Sequence, residues 1–424
     1  MAESHIFNTK NMSAYSHFSN TINNKYLNLN NGKEIDIKVP DALLKYFKDK
    51  TLKYNLDKRI FYYKHITNKL KDINNKQCLK EYAINSKKNE DVLGYNIDDK
   101  VFLTKKFGSI SKYGYIYIAS IKNEFGKYPI ASKIMINNRV NLFEAQINLK
   151  ITDKVIKNMI SRHFILTYKV IICDKMSNKN LPDIVLNKKY YVLLNELARG
   201  DLKQLCNSKM FLKNNSALYN VFIQIMLSIS TFHHLGFIHG DCHWGNFLYH
   251  INYNVVKNSY HHYIIYGKNY YLKSCEYTMY IYDFGFAEKI KSVKMSLIDS
   301  DYRRLINAFR NKKIEPRSWI SVDNNLPSDE VGEYVKTFRK AIDNNRRSGR
   351  SSGSSGSSGD SSSSGSSDNI YKNNSIYLEK LTINTILPTL LKAPEKIFVT
   401  KLPANASVIN KKPYYINKKI LIKD

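Results

Sequence analysis

The run Leu218 to Leu235 (LYNVFIQIMLSISTFHHL) places apolar residues at a 3.6-residue spacing and stops at Gly236. Such spacing gathers the side chains into one wide stripe of an α-helix, and a glycine just past the last turn ends it. The chain then turns polar at once: GFIHGDCHWGNFLYH is a loop crowded with imidazole, carboxylate and amide groups. A helix with a broad apolar stripe that delivers such a loop into short strands calls for a mixed α and β fold.

Ahead of that helix the pattern suits a sheet wrapped around one helix. Tyr113 to Ile121 alternates and is rich in Tyr and Ile, and Ile130 to Ile136 reads as a second strand. Asn141 to Lys150 reads as a helix, with Phe164 to Cys173 and Tyr190 to Leu194 as further strands. Behind it, short strands flank a polar, Tyr-rich insertion and lead to Tyr280–Gly285, and Asp299 to Asn311 reads as a helix with an acidic start. Residues 1–97 are polar and basic, with helical spacing only from Leu43 to Leu79, and are expected to be an extension. The stretch SGRSSGSSGSSGDSSSSGSSD cannot build a core, so 346–368 is expected to be a flexible linker and 369–424 a basic, flexible tail, with docking through its Ile, Leu and Tyr as the alternative.

Composition narrows the setting. Of 424 residues 43% are apolar and 24% charged, the balance of a chain with a core. Lys and Arg number 66 against 36 Asp and Glu, a formal charge of +30 that invites an anionic partner. Lys, Asn, Ile and Tyr are over-used together. Their codons are A/T-rich, as in the genomes of some large DNA viruses, so part of that charge reflects coding bias. The five cysteines are scattered with no C-x-x-C pair, which argues against a disulfide framework and a zinc site and for a reducing compartment. The start lacks an apolar leader, and no apolar run reaches the length of a membrane span, so a soluble intracellular protein is expected, in host cytoplasm or virion if viral.

The chemistry concentrates in two places: His239-x-Asp241 with Asn246 five residues after the Asp, and Asp283-Phe284-Gly285. Phosphoryl transfer from ATP needs a carboxylate that orients and deprotonates a hydroxyl, the part suited to Asp241. It also needs hard oxygen ligands that hold Mg²⁺ on the phosphates, the parts suited to Asn246 and Asp283.

This set resembles the protein-kinase-like superfamily, whose signatures are a Gly-rich loop, V-A-I-K, H-R-D-x-x-x-x-N and D-F-G. The resemblance implies an α+β, bilobal kinase-like fold: a small antiparallel-sheet N-lobe (98–195) and a mainly helical C-lobe (196–345) around Mg-ATP. Under it, Gly108 and Gly114 belong to the phosphate loop, although the middle glycine is missing, and Ile116 and Ala131 cover adenine. Lys133, in Ile130-Ala131-Ser132-Lys133, reaches the phosphates and pairs with Glu144. Glu196 and Ala198 offer backbone groups to adenine, so their side chains matter little.

Two departures stand out. Gly240 replaces the Arg of H-R-D, and His243 stands where protein Ser/Thr kinases carry a Lys; a partly charged His243 that stabilises the transferring group and a structural His243 that bonds a backbone carbonyl are the two expectations. H-G-D-x-H-x-x-N also resembles the aminoglycoside and choline phosphotransferase branches. Asp301 is expected to brace the catalytic loop, with Asp299 as competitor. The expected activity is therefore a divergent protein serine/threonine kinase that uses ATP and Mg²⁺. A small-molecule hydroxyl acceptor and an inactive pseudokinase are the alternatives. Nucleic-acid binding ranks last, since neither extension carries a motif for it.

Overall fold

The computed structural model describes residues 26–28, 34–36, 55–74, 78–85, 92–111, 114–122, 128, 130–174, 189–252, 254–290, 293, 295–308, 329–351 and 367–417. The fold is mixed α+β, and the chain divides into two units. One comprises residues 1–158, 165–200 and 252–254, the other 159–164, 201–251 and 255–424.

The first unit is built on an antiparallel sheet of β1 (Tyr26–Asn28), β2 (Glu34–Asp36), β3 (Lys80–Asn85), β4 (Val92–Ile97), β5 (Val101–Ser111), β6 (Gly114–Ile121), β7 (Ile130–Ile136), β8 (Thr167–Cys173) and β9 (Tyr190–Glu196). Their order across the sheet is β2-β1-β3-β4-β5-β6-β7-β9-β8. Among the described residues, α1 (Leu56–Lys69) and α2 (Arg139–Ile151) join them. Central β7 has neighbours on both edges: Lys133 lies opposite Ile116 of β6 and Leu193 of β9. Helix α2 starts where the Asn138 side chain accepts the Asn141 amide at 2.8 Å, which satisfies one of the open N–H groups of the first turn. Its Ala145 packs with Met135, Tyr191 and Leu193 against the sheet.

The described residues of the expected extension over 1–97 are instead part of this unit. Asn55 caps α1, whose Leu56, Arg59, Tyr62 and Ile66 recur at helical spacing and are buried, while β3 and β4 continue the sheet. Residues 43–54 of the expected helix lie outside the described residues. Cys78 and Cys173 are bonded to each other, which corrects the expectation of a chain without disulfides. Their separation of 95 residues hid the pair from any spacing rule.

In the second unit α3 (Asn215–His234) is buried along both faces from Ala217 onward, as a central helix must be. It leads to β10 (Phe237–Ile238), β11 (Phe247–Ile251), β12 (Ser259–Ile265), β13 (Lys268–Lys273), β14 (Tyr277–Ile281) and β15 (Glu288–Lys289). The side chain of Gln224 donates to Tyr277 O at 2.8 Å and accepts from Met279 N at 3.0 Å, so α3 holds β14 through a buried amide. Strands β11 and β14 pair antiparallel, as do β10 and β15. Helices α4 (Met295–Ala308), α5 (Asp329–Ser351) and α6 (Ser367–Leu381) come next, then β16 (Phe398–Val399), β17 (Ser407–Val408) and β18 (Tyr414–Ile416).

One expectation changes here. The Tyr-rich insertion is the β12–β13 hairpin, turned by Tyr266 and Gly267 at φ +48° and +79°, which adds strand to a unit whose described residues remain mainly helical. The expected flexible tail is structured through residue 417: β16 pairs with β13, and β17 and β18 run parallel to β12. Leu378, Leu381, Ile386 and Phe398 are buried, and their removal from water supplies the driving force. Helix α5 reaches Ser351, and 352–366, most of the expected linker, lie outside the described residues.

Candidate active site

In the first unit the residues expected to address a nucleotide are set by the sheet. Lys133 Nζ lies 2.6 Å from Glu144 Oε1, with both side chains almost fully buried. An ammonium in that setting keeps its charge only beside a fixed anion, so β7 and α2 supply one functional pair. Ala131 and Ile116 are half-buried on β7 and β6. Gly108 lies within β5, and Gly114 opens β6 opposite Ser111; residues 112 and 113 between these strands lie outside the described residues.

Glu196 departs from expectation. Its backbone amide donates to Leu166 O at 2.8 Å, and its carboxylate accepts Arg59 Nη2 at 2.7 Å and Arg59 Nε at 2.8 Å. Its side chain is therefore the buried anchor of α1, and its identity matters after all. Ala198, just beyond β9, is buried.

In the second unit the loop after β10 is held from several sides. Asp301, within α4, accepts His239 N at 2.7 Å and Gly240 N at 2.9 Å, and its Oδ2 also meets His233 Nε2 at 2.8 Å. These partners overcome the burial that would raise its proton affinity and hold the carboxyl below its ordinary range. Asp299 instead accepts the Tyr377 hydroxyl, so Asp301 is the bracing carboxylate. His239 Nε2 meets Tyr282 O at 2.9 Å while its Nδ1 accepts Asp241 N at 3.3 Å, which defines one tautomer.

Asn246 Nδ2 donates to Asp241 O at 2.9 Å, which orients the amide. Tyr282 N donates to Asn246 O at 2.9 Å, so Asp283 stands one residue beyond a direct link to the Asn246 backbone. Asp283 itself adopts φ +65°, a left-handed conformation that an L-residue keeps only when its surroundings impose it. Those surroundings include buried Phe284, stacked on Phe232 at 4.8 Å. The loop thus carries Asp241, His243 and Asn246, and the Tyr282–Asn246 bond ties the segment of Asp283 to it.

The chain matches no protein-family model and no curated protein. Its site is therefore read from geometry alone.

His243 is not the partly charged group expected. Its Nδ1 accepts Gly245 N at 3.0 Å, and its Nε2 lies 3.5 Å from Asp241 Oδ2. Burial lowers its pKa despite the opposing pull of Asp241 and Asp283, so the imidazole is neutral at neutral pH with its proton on Nε2. Among the described residues no three His, Cys, Asp or Glu side chains form a metal-binding group. The donor set that remains, one amide oxygen and one carboxylate, suits a hard cation that keeps water and phosphate ligands.

Arg304 was missed from the sequence. Its Nη1 donates to Gly240 O at 2.7 Å and to Asp241 Oδ1 at 2.9 Å. The signal was present in DYRRL, where Arg304 stands one turn after Asp301 on the same helix face.

Proposed function

We propose that the protein is an ATP-dependent phosphotransferase that moves the γ-phosphoryl group of Mg-ATP to a hydroxyl, with protein serine or threonine as acceptor. The observation that carries this reading is the loop of Asp241 and Asn246, braced by Asp301 at His239 and Gly240 and tied through Asn246 O and Tyr282 N to the segment that carries Asp283. The buried Lys133–Glu144 pair of the first unit supports it, since a fixed ammonium is what phosphates require. The reading carries with it a bilobal kinase-like arrangement.

Magnesium, when bound, neutralises phosphate charge. Asn246 Oδ1 and the Asp283 carboxylate would hold it, and Lys133 would meet the phosphates. Asp241 would orient the acceptor hydroxyl and take its proton as the new P–O bond forms and the bond from the γ-phosphorus to the bridging oxygen breaks, with ADP as the leaving group. Neutral His243 donates toward Asp241 and so helps to fix that carboxylate. Gly108, Gly114, Ile116 and Ala131 line the nucleotide, and Ala198 offers it a backbone group. Catalysis rests on positioning and charge neutralisation.

A small-molecule acceptor is the second reading, favoured by neutral His243 where a protein kinase carries Lys. The test incubates the protein with Mg²⁺ and γ-labelled ATP, with mixed protein and small-alcohol acceptors, beside Asp241→Asn and Asp283→Ala. Label on protein Ser or Thr, reduced by about 100-fold or more in Asp241→Asn, is the expected result. Label on the alcohols selects the second reading. Nucleotide bound without transfer selects a pseudokinase, and neither binding nor transfer refutes the reading.

A further inference from the structure

We infer that Arg304 is a positioning residue that fixes the Asp241 carboxylate for proton acceptance, an inference that rests on the proposed phosphotransferase. Helix α4 presents two side chains one turn apart to the same residue. Asp301 accepts the N–H of Gly240 at 2.9 Å, and Arg304 donates to its C=O at 2.7 Å. The guanidinium nitrogen that holds this carbonyl also donates to Asp241 Oδ1 at 2.9 Å. Both polar edges of residue 240 and one oxygen of Asp241 are therefore referred to a single rigid helix.

The loop cannot supply such a cation from residue 240 itself. Gly240 sits at φ +74°, and a Cβ there would lie 2.5 Å from Phe286 O. A side chain is excluded at that point, and the charge arrives from α4 instead. The remaining oxygen, Asp241 Oδ2, lies 3.4 Å from Asn246 Nδ2 and 3.5 Å from His243 Nε2. Arg304 thus occupies one oxygen and leaves Oδ2, lightly held, as the atom that takes the proton. The Arg304 side chain is 53% exposed. Solvent screens an ion pair of that kind, so its worth lies in orientation rather than in stability.

The experiment measures kcat and KM for ATP in wild type, Arg304→Ala, Arg304→Lys, Asp241→Asn and the Arg304→Ala/Asp241→Asn double variant. Urea midpoints establish that each is folded. Arg304→Ala is expected to lower kcat by about 10- to 100-fold, the cost of a misplaced reacting group, with KM for ATP within about threefold of wild type. Arg304→Lys and added methylguanidinium each restore part of kcat to the site. In the Asp241→Asn background the Arg304 substitution costs nothing further, because it acts through that carboxylate. A kcat within twofold of wild type in Arg304→Ala overturns the inference and leaves the phosphotransferase standing. So does an additive loss in the double variant, which marks a merely structural arginine. Wild type that transfers no phosphoryl group overturns both.

Discussion

Replacing Arg59 by Met tests whether α1 is a working part of the first unit. The Arg59 and Glu196 side chains are 1% and 0% exposed, and three N···O contacts of 2.7, 2.8 and 3.1 Å join them. Loss of the guanidinium strands a carboxylate in a dry site, where the Leu166 amide at 3.2 Å is a weak substitute. Breaking a buried pair from one side costs about 3–5 kcal/mol. At the middle of that range the unfolding equilibrium moves by roughly a thousandfold. Urea denaturation followed by far-UV circular dichroism reads the change.

The charge, not the contact, carries most of this cost, because removal of both charges from such a pair is often close to neutral. Addition of Glu196→Gln to Arg59→Met is therefore expected to recover at least half of the loss. The amide oxygen still accepts the Leu166 N–H while the buried charge is gone. A loss under about 1 kcal/mol in Arg59→Met would refute the reasoning, as would a double variant no more stable than the single one.

Gly240→Ala forces a Cβ against Phe286 O at a positive φ, so it is expected to cost about 1–3 kcal/mol by urea titration and to abolish transfer. Burial, Arg162 and His163 hold the His261 pKa well below its ordinary value, and Arg162 Nη1 donates to His261 Nε2. The folded state keeps this imidazole neutral while the unfolded chain binds a proton below about pH 6.5, so stability falls as pH drops through that point. Urea midpoints at pH 7.5 and 5.5, flatter in His261→Gln, check the sign. Reduction of the Cys78–Cys173 bond frees a loop of 95-residue separation, worth about 4–5 kcal/mol of chain entropy. Wild type with dithiothreitol is expected to melt with Cys78→Ser, and an unmoved melting curve would refute the link.

What the sequence determined by itself was local. Strand β7 spans Ile130–Ile136, the residues its pattern marks, and α2 and α3 overlap the segments marked by helical spacing to within a turn. Periods of two and 3.6 are imposed by the backbone within one element, so they can be read from neighbours in the chain. The residue types of the candidate site were legible for a related reason, since His239, Asp241 and Asn246 stand at set offsets within one short stretch of chain.

Tertiary structure alone decided which distant groups meet. Arg59 reaches Glu196 across 137 residues, Arg304 reaches Asp241 across 63, and Asn374 Nδ2 reaches Ile290 O across 84. No periodicity spans such intervals. The same holds for β17 and β18, which pair with β12 although they lie far from it in the chain. It holds for His243 as well, whose neutral state comes from burial, a property that no residue carries alone.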